Sequence, residues 1–170
     1  MEIKSILFVC LGNICRSPLA EGIAKNYIKE KNLNLVIESA GTGHWHVGEK
    51  PCENSIKVAL LNGVDISNQK AQQVKKSDFK NFDLIVGLDD SNISNLKNLG
   101  CKNPIKLGDF GFNGECVPDP YFFDGFEGFD KVFEMIDVCV RSLIDEKVKS
   151  AYASLLISLF CELKPIIQLF

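Results

Sequence analysis

Cys10 and Arg16 are separated by five residues in the segment Cys10-Leu-Gly-Asn-Ile-Cys-Arg16-Ser17-Pro18. A thiol and a guanidinium at that spacing converge if the loop between them curls around an anion. Its backbone N–H groups then point inward, and a following helix N-terminus adds positive potential. Arg16 offers a planar fork to two phosphate oxygens. The same donors favour a thiolate at Cys10, and Ser17 is placed to give that sulfur a hydroxyl hydrogen bond. One loop would thus supply a nucleophile, an anion seat and charge stabilisation, the parts needed to take a phosphoryl group from an ester. The spacing alone is weak evidence, because a free Cys often merely ends a buried strand. Gly12, Asn13 and the Ser-Pro helix start beside it make the chemical reading the stronger one.

The surrounding elements are those that such a seat needs. Ile3 to Cys10 is a mostly apolar run of the kind that forms a strand buried on both faces. Leu11 to Arg16 reads as a tight loop, and Ser17-Pro18 as an N-cap followed by proline at the first helical position. Leu19, Ile23 and Tyr27 recur at helical spacing up to about Lys31. Val36 to Ala40 is a second strand, and Glu53 to Leu61 a helix closed by Asn62-Gly63. Asp83 to Leu88 is a third strand, Ser91 to Leu99 a short helix, and Pro104 to Leu107 a fourth strand. Gly108 to Gly128, rich in Gly, Phe and Asp, reads as a long surface loop. A last helix from about Phe129 to Val148 carries Phe129, Phe133, Ile136, Val140 and Ile144 on one face, a core stripe. No internal repeat is present. Strands alternating with helices predict an α/β fold: a four-stranded parallel sheet with helices on both faces, a flavodoxin-like three-layer sandwich. Ligands bind such sheets beyond the carboxyl ends of the strands, where Leu11 to Arg16 falls.

Composition narrows the setting. The chain has 170 residues, 46% apolar and 24% charged, which fits one globular domain, here 1–149. Beyond it, 150–170 is an apolar tail of unassigned role with only Glu162 and Lys164 charged. Its uncharged run from Ser150 to Cys161 is too short to span a bilayer, and its side chains suit either a terminal helix folded against the domain or self-association or membrane-surface contact. A net charge of −3, with only Arg16 and Arg141 as arginines, argues against a nucleic-acid partner. Seven cysteines without a secretory leader point to a cytoplasmic protein with reduced thiols. No C-x-x-C pair is present, so no metal site is expected, and no cofactor is called for. His44 and His46 read as loop residues.

The loop closely resembles that of the low-molecular-weight protein tyrosine phosphatases. The family pattern C-x-G-N-x-C-R-S-P is met by Cys10, Gly12, Asn13, Cys15, Arg16, Ser17 and Pro18. The likeness continues through Glu38-Ser39-Ala40-Gly41, Asp83, Asp89 with Ser91-Asn92, and Asp119-Pro120-Tyr121, covering about residues 3 to 148. It implies an enzyme that hydrolyses phosphotyrosine in proteins, and aryl phosphates, through a phosphocysteine on Cys10. Arg16 and the loop amides of Leu11, Gly12, Asn13, Ile14, Cys15 and Ser17 would bind phosphate, and Asp119 would be general acid, then base. Ser39 and Asn13 would brace the loop, while Leu11, Trp45, Tyr121 and Phe122 would wall the substrate ring. Cys15 resembles a backup cysteine able to trap an oxidised Cys10 as a disulfide.

The chain departs from the family where members carry a histidine followed by x-A-R-Q; here the stretch is Gln69-Lys70-Ala71-Gln72-Gln73. Gln69 can keep a hydrogen bond but no charge. Phe122 stands where eukaryotic members often have a second tyrosine. An arsenate reductase on the same scaffold would need two relay cysteines after the third strand, and residues 80 to 100 hold none. An arginine phosphatase would be expected to carry Thr in place of Ile14. A module that only binds phosphotyrosine needs neither Cys10 nor Asp119.

Overall fold

The computed structural model describes residues 2–123 and 125–148. The expected tail, 150–170, lies outside the described residues. Strand β1, Ser5–Cys10, is followed by helix α1, Arg16–Glu30, and β2, Val36–Gly41. Helices α2, Glu53–Leu61, and α3, Asp78–Asn81, precede β3, Leu84–Gly87. Helix α4, Asp90–Asn98, then leads to β4, Ile105–Lys106, and α5, Glu127–Lys147.

The four strands form one parallel sheet in the order β2-β1-β3-β4. β1 lies inside it, with Cys10 opposite Gly41 of β2 and Val9 opposite Gly87 of β3. Its side chains alternate between two cores. Ile6, Phe8 and Cys10 face the core built with α1 and α5, and Leu7 and Val9 face the one that holds Leu96 of α4. Both faces are therefore covered, which is why the run lacks polar alternation. Each fully buried side chain of this kind stabilises the fold by about 1.5–3 kcal/mol. The expected stripe of α5 is buried at Phe129, Phe133, Ile136, Val140 and Ile144.

Two expectations need correction. Helix α1 begins at Arg16, with Cys15 at its N-cap, rather than after Ser17. The Ser17 hydroxyl cannot cap because it is engaged with Asn13, Cys10 and Ala40. Pro18 still sits in the first turn, where a missing N–H costs no helical bond. The stretch 108–128 is not simply a surface loop either. Phe110 and Val117 are buried in it, the Val117 amide donates to the Leu88 carbonyl at 2.9 Å, and short 3₁₀ turns form at Leu107–Asp109 and Pro120–Phe122. Its apolar residues are spaced irregularly, so no period marks them as core. The single turn α3 was also not foreseen.

Candidate active site

The loop after β1 and the turn after β3 leave the sheet side by side, at the point where the chain runs from β1 to β2 on one side and to β3 on the other. Cys10 ends β1 there and is buried. Asn13 takes a left-handed backbone, φ 56°, which Asn tolerates better than most residues, and this turns the loop back on itself. Its amide then donates to Cys10 Sγ at 3.3 Å. Gly41 is needed alongside, since a Cβ there would lie 2.8 Å from the Leu11 carbonyl oxygen.

The polar network around Cys10 has a direction. Glu21 Oε2 accepts from the Ser39 hydroxyl at 2.6 Å, and Glu21 Oε1 accepts from Lys25 Nζ at 2.6 Å. Ser39 Oγ having spent its proton, it accepts from Asn13 Nδ2 at 2.8 Å. The same Asn13 nitrogen donates to Ser17 Oγ at 2.9 Å, and Asn13 Oδ1 accepts from the Gln72 amide at 2.8 Å. Ser17 Oγ therefore keeps its own proton, for Cys10 Sγ at 3.0 Å or the Ala40 carbonyl at 3.3 Å. When sulfur is anionic, charge assistance favours the first.

Arg16 lies buried beside this network. Nη1 donates to Asp89 Oδ2 at 2.5 Å and to the Val117 carbonyl at 3.1 Å, and Nη2 donates to Asp119 Oδ2 at 2.9 Å. Burial works against the guanidinium charge, but Cys10, Asp89 and Asp119 together hold its pKa above the ordinary value. Asp89 is itself fixed as the N-cap of α4, with Oδ1 accepting from the Asn92 amide at 2.6 Å. Asp119 caps the Pro120–Phe122 turn, with Oδ1 accepting from the Tyr121 amide at 3.1 Å.

These groups open into a cleft of about 270 Å³. Cys10, Arg16 and Asp119 lie at its polar end, and Leu11, Gly12, Ile14 and Cys15 form the loop side. Trp45, Tyr121 and Phe122 form exposed aromatic walls, 63%, 84% and 85% accessible. Every residue expected to seat phosphate or wall the ring lines this cleft, apart from Asn13 and Ser17, which brace the loop from behind. Gln69 Nε2 donates to the Pro18 carbonyl at 3.2 Å, and Gln72 Nε2 to the Ser39 carbonyl at 2.8 Å. Both replacements thus support the loop through hydrogen bonds alone. Cys15 Sγ lies 2.9 Å from a further sulfur, Cys52 Sγ.

Four residues were given no site role from the sequence. Asp89, named there only within the family likeness, orients Arg16. Glu21 sits on an otherwise buried helix face, and that is the signal for a buried carboxylate with a partner. His46 lines the cleft and pairs with Glu49 at 2.8 Å. Cys52 gave no sign, being 37 residues from Cys15.

Comparison with known proteins agrees with this geometry. A family model described as low molecular weight phosphotyrosine protein phosphatase matches residues 5–153. The low molecular weight protein-tyrosine-phosphatase PtpA of Staphylococcus aureus is 38% identical over 154 residues, spanning 86% of this chain and 95% of that protein. The crystal structure of a protein tyrosine phosphatase from Entamoeba histolytica, with Hepes in its active site, superposes with a TM-score of 0.80 at 34% identity, covering 87% of this chain and 99% of that one. A Drosophila arginine phosphatase superposes with a TM-score of 0.77 at 29% identity, covering 83% of this chain and 96% of that one.

Proposed function

Since the chain belongs to the low molecular weight phosphotyrosine protein phosphatase family, we propose that it hydrolyses phosphotyrosine in protein substrates, with Cys10, Arg16 and Asp119 as its working groups. The observation that carries the assignment of roles is the convergence of those three side chains in one aromatic-walled cleft. Arg16 spends three of its five N–H donors on Asp89, Val117 and Asp119. The remaining pair, on Nε and Nη2, matches two phosphate oxygens. The loop amides share the charge that builds up as phosphorus is attacked.

Cys10 thiolate attacks phosphorus, the bond to the tyrosyl oxygen breaks, and Asp119 gives that oxygen a proton. Asp119 then takes a proton from water as it hydrolyses the phosphocysteine, returning the Cys10 thiolate and phosphate. Between attacks the Ser17 hydroxyl, aimed by Asn13, steadies the sulfur anion. Leu11, Trp45, Tyr121 and Phe122 stack and pack on the ring, and Ser39 holds the network taut. A free thiol nucleophile fits a reducing compartment, which supports a cytoplasmic setting; among the described residues no helix is long and apolar enough to cross a membrane. We read the domain as 1–149 and the apolar tail 150–170 as a segment for its own domain, a second copy or a membrane surface.

Likeness to an arginine phosphatase brings a second substrate into consideration. Ile14 lines the cleft, and its branched apolar chain suits an aryl ring better than a charged guanidinium. Turnover of phosphotyrosine, phosphoserine, phosphoarginine and arsenate by the full chain decides the point. Phosphotyrosine should exceed the others by at least about 100-fold, a gap of roughly 2.7 kcal/mol in transition-state binding. Faster turnover of phosphoarginine would overturn the reading.

A further inference from the structure

Behind the catalytic cleft, a second pocket of about 690 Å³ opens beside α2, and Cys15 lines both. Cys52 lines the second pocket alone. The two sulfurs stand at hydrogen-bond distance, 2.9 Å, as free thiols. A backbone hydrogen bond holds the two segments together, the Cys52 amide donating to the Ile14 carbonyl at 2.8 Å. Cys52 is the N-cap of α2, whose dipole favours an anion, and Ser55 Oγ lies 3.1 Å from its sulfur. The hydrogen bond from Cys15, aided by Ser55 and opposed by burial, lowers the Cys52 pKa to about 6. The same hydrogen bond and burial push the Cys15 thiol up.

We propose that Cys15 and Cys52 form a redox relay that carries oxidation away from the catalytic sulfur and ends in a Cys15–Cys52 disulfide. The inference rests on Cys10 being the thiolate nucleophile of the phosphatase. A hydroperoxide is the oxidant. Cys10 thiolate attacks one peroxide oxygen, the O–O bond breaks, and the departing alkoxide or hydroxide takes a proton from water, leaving Cys10 sulfenic acid. The Cys15 sulfur attacks Cys10, the S–O bond breaks, and hydroxide leaves with the Cys15 proton as water. Cys52 thiolate then attacks Cys15 Sγ, the Cys10–Cys15 bond breaks, and its electron pair returns to Cys10 as thiolate. The two electrons that reduced the peroxide come from Cys15 and Cys52. Exchange runs in this direction because Cys15 Sγ faces Cys52 at 2.9 Å and the departing Cys10 sulfur is received by the Asn13 amide and Ser17. A dithiol reductant resets the pair.

The test exposes the full chain to hydrogen peroxide and follows 4-nitrophenyl phosphate turnover alongside disulfide mapping under non-reducing conditions. The wild type should accumulate Cys15–Cys52 with Cys10 still open to alkylation. Cys52→Ser, unchanged in basal turnover, should accumulate Cys10–Cys15 and lose activity roughly tenfold faster. In Cys10→Ser the Cys15–Cys52 disulfide should form roughly tenfold more slowly, since the relay begins at Cys10. A wild-type map showing only Cys10–Cys15, equal inactivation of wild type and Cys52→Ser, or undiminished Cys15–Cys52 formation in Cys10→Ser would each overturn the relay. A Cys10→Ser chain that keeps wild-type turnover would instead remove Cys10 as nucleophile, whatever the map shows.

Discussion

An unaided phenolate, whose conjugate acid has a pKa of about 10, leaves phosphorus poorly at neutral pH. Asp119 is the carboxyl group that lines the cleft, with Oδ2 on Arg16 Nη2 and Oδ1 on the Tyr121 amide. Those two contacts fix its position at the mouth of the cleft, between phosphate seat and ring walls. A general acid in such a place contributes typically ~10²–10⁴-fold. Asp119→Ala should lose a rate of that order on phosphotyrosine and far less on aryl phosphates whose phenols are already acidic. The measurement is kcat across aryl phosphates of graded leaving-group acidity. A uniform loss over the series would make Asp119 a structural residue. At this scale most of the site was legible in the sequence, because Cys10, Asn13, Arg16, Ser17 and Pro18 lie within nine residues and their chemistry depends on local spacing. What escaped was each second partner: Asp89 behind Arg16, Glu21 behind Ser39, Cys52 behind Cys15. These are contacts across 73, 18 and 37 residues, and no local pattern encodes them.

Elements matter here through their ends. The carboxyl ends of β1 and β3 place the Cys10 loop and Asp89 next to each other, and Asp89 serves two elements at once. Oδ1 caps α4 through the Asn92 amide, and Oδ2 holds the Arg16 guanidinium. The two duties can be separated. Asp89→Asn keeps an oxygen for the cap but weakens the hold on Arg16, whereas Asp89→Ala loses both. Both variants should raise the inhibition constant for inorganic phosphate by roughly tenfold, as expected when one charge-assisted hydrogen bond is lost. Asp89→Ala should in addition be less stable than Asp89→Asn by about 0.5–2 kcal/mol, the worth of an N-cap. Urea unfolding of the two variants measures that difference; equal stabilities would mean that the cap contributes nothing here. The strands and long helices followed from their periodicity to within a residue or two. The start of α1 did not, because the hydroxyl that normally caps a helix is diverted to the catalytic sulfur. A rule of local propensity gave way where function took the side chain for its own use.

Across the whole molecule, the family model matches residues 5–153 as one unit. The staphylococcal relative is covered over 95% of its length by 86% of this chain, so the sheet, its helices and the cleft account for nearly all that the two share. Helix α5 closes that unit: Val148, just past its end, is buried and its amide donates to the Ile144 carbonyl at 2.9 Å. The twenty residues from Ala151 onward carry two charges, Glu162 and Lys164, against a run of Leu, Ile and Phe. Apolar side chains gain about 25 cal/mol for each Å² removed from water, so a sequence of this kind favours burial on a partner, a membrane surface or its own domain. Its sequence holds a proline, Pro165, a residue with no N–H to give a helix, and its uncharged run falls short of the ~20 residues needed to span a bilayer. Truncation after Ser150 should therefore leave turnover of a small aryl phosphate within about twofold, because no group placed in the cleft is lost. It should also lower the solution mass measured by light scattering, or abolish co-sedimentation with anionic phospholipid vesicles. The first outcome assigns the tail to self-association and the second to a membrane surface. A truncated chain that matches the full chain in both measurements would show that the tail folds back on its own domain.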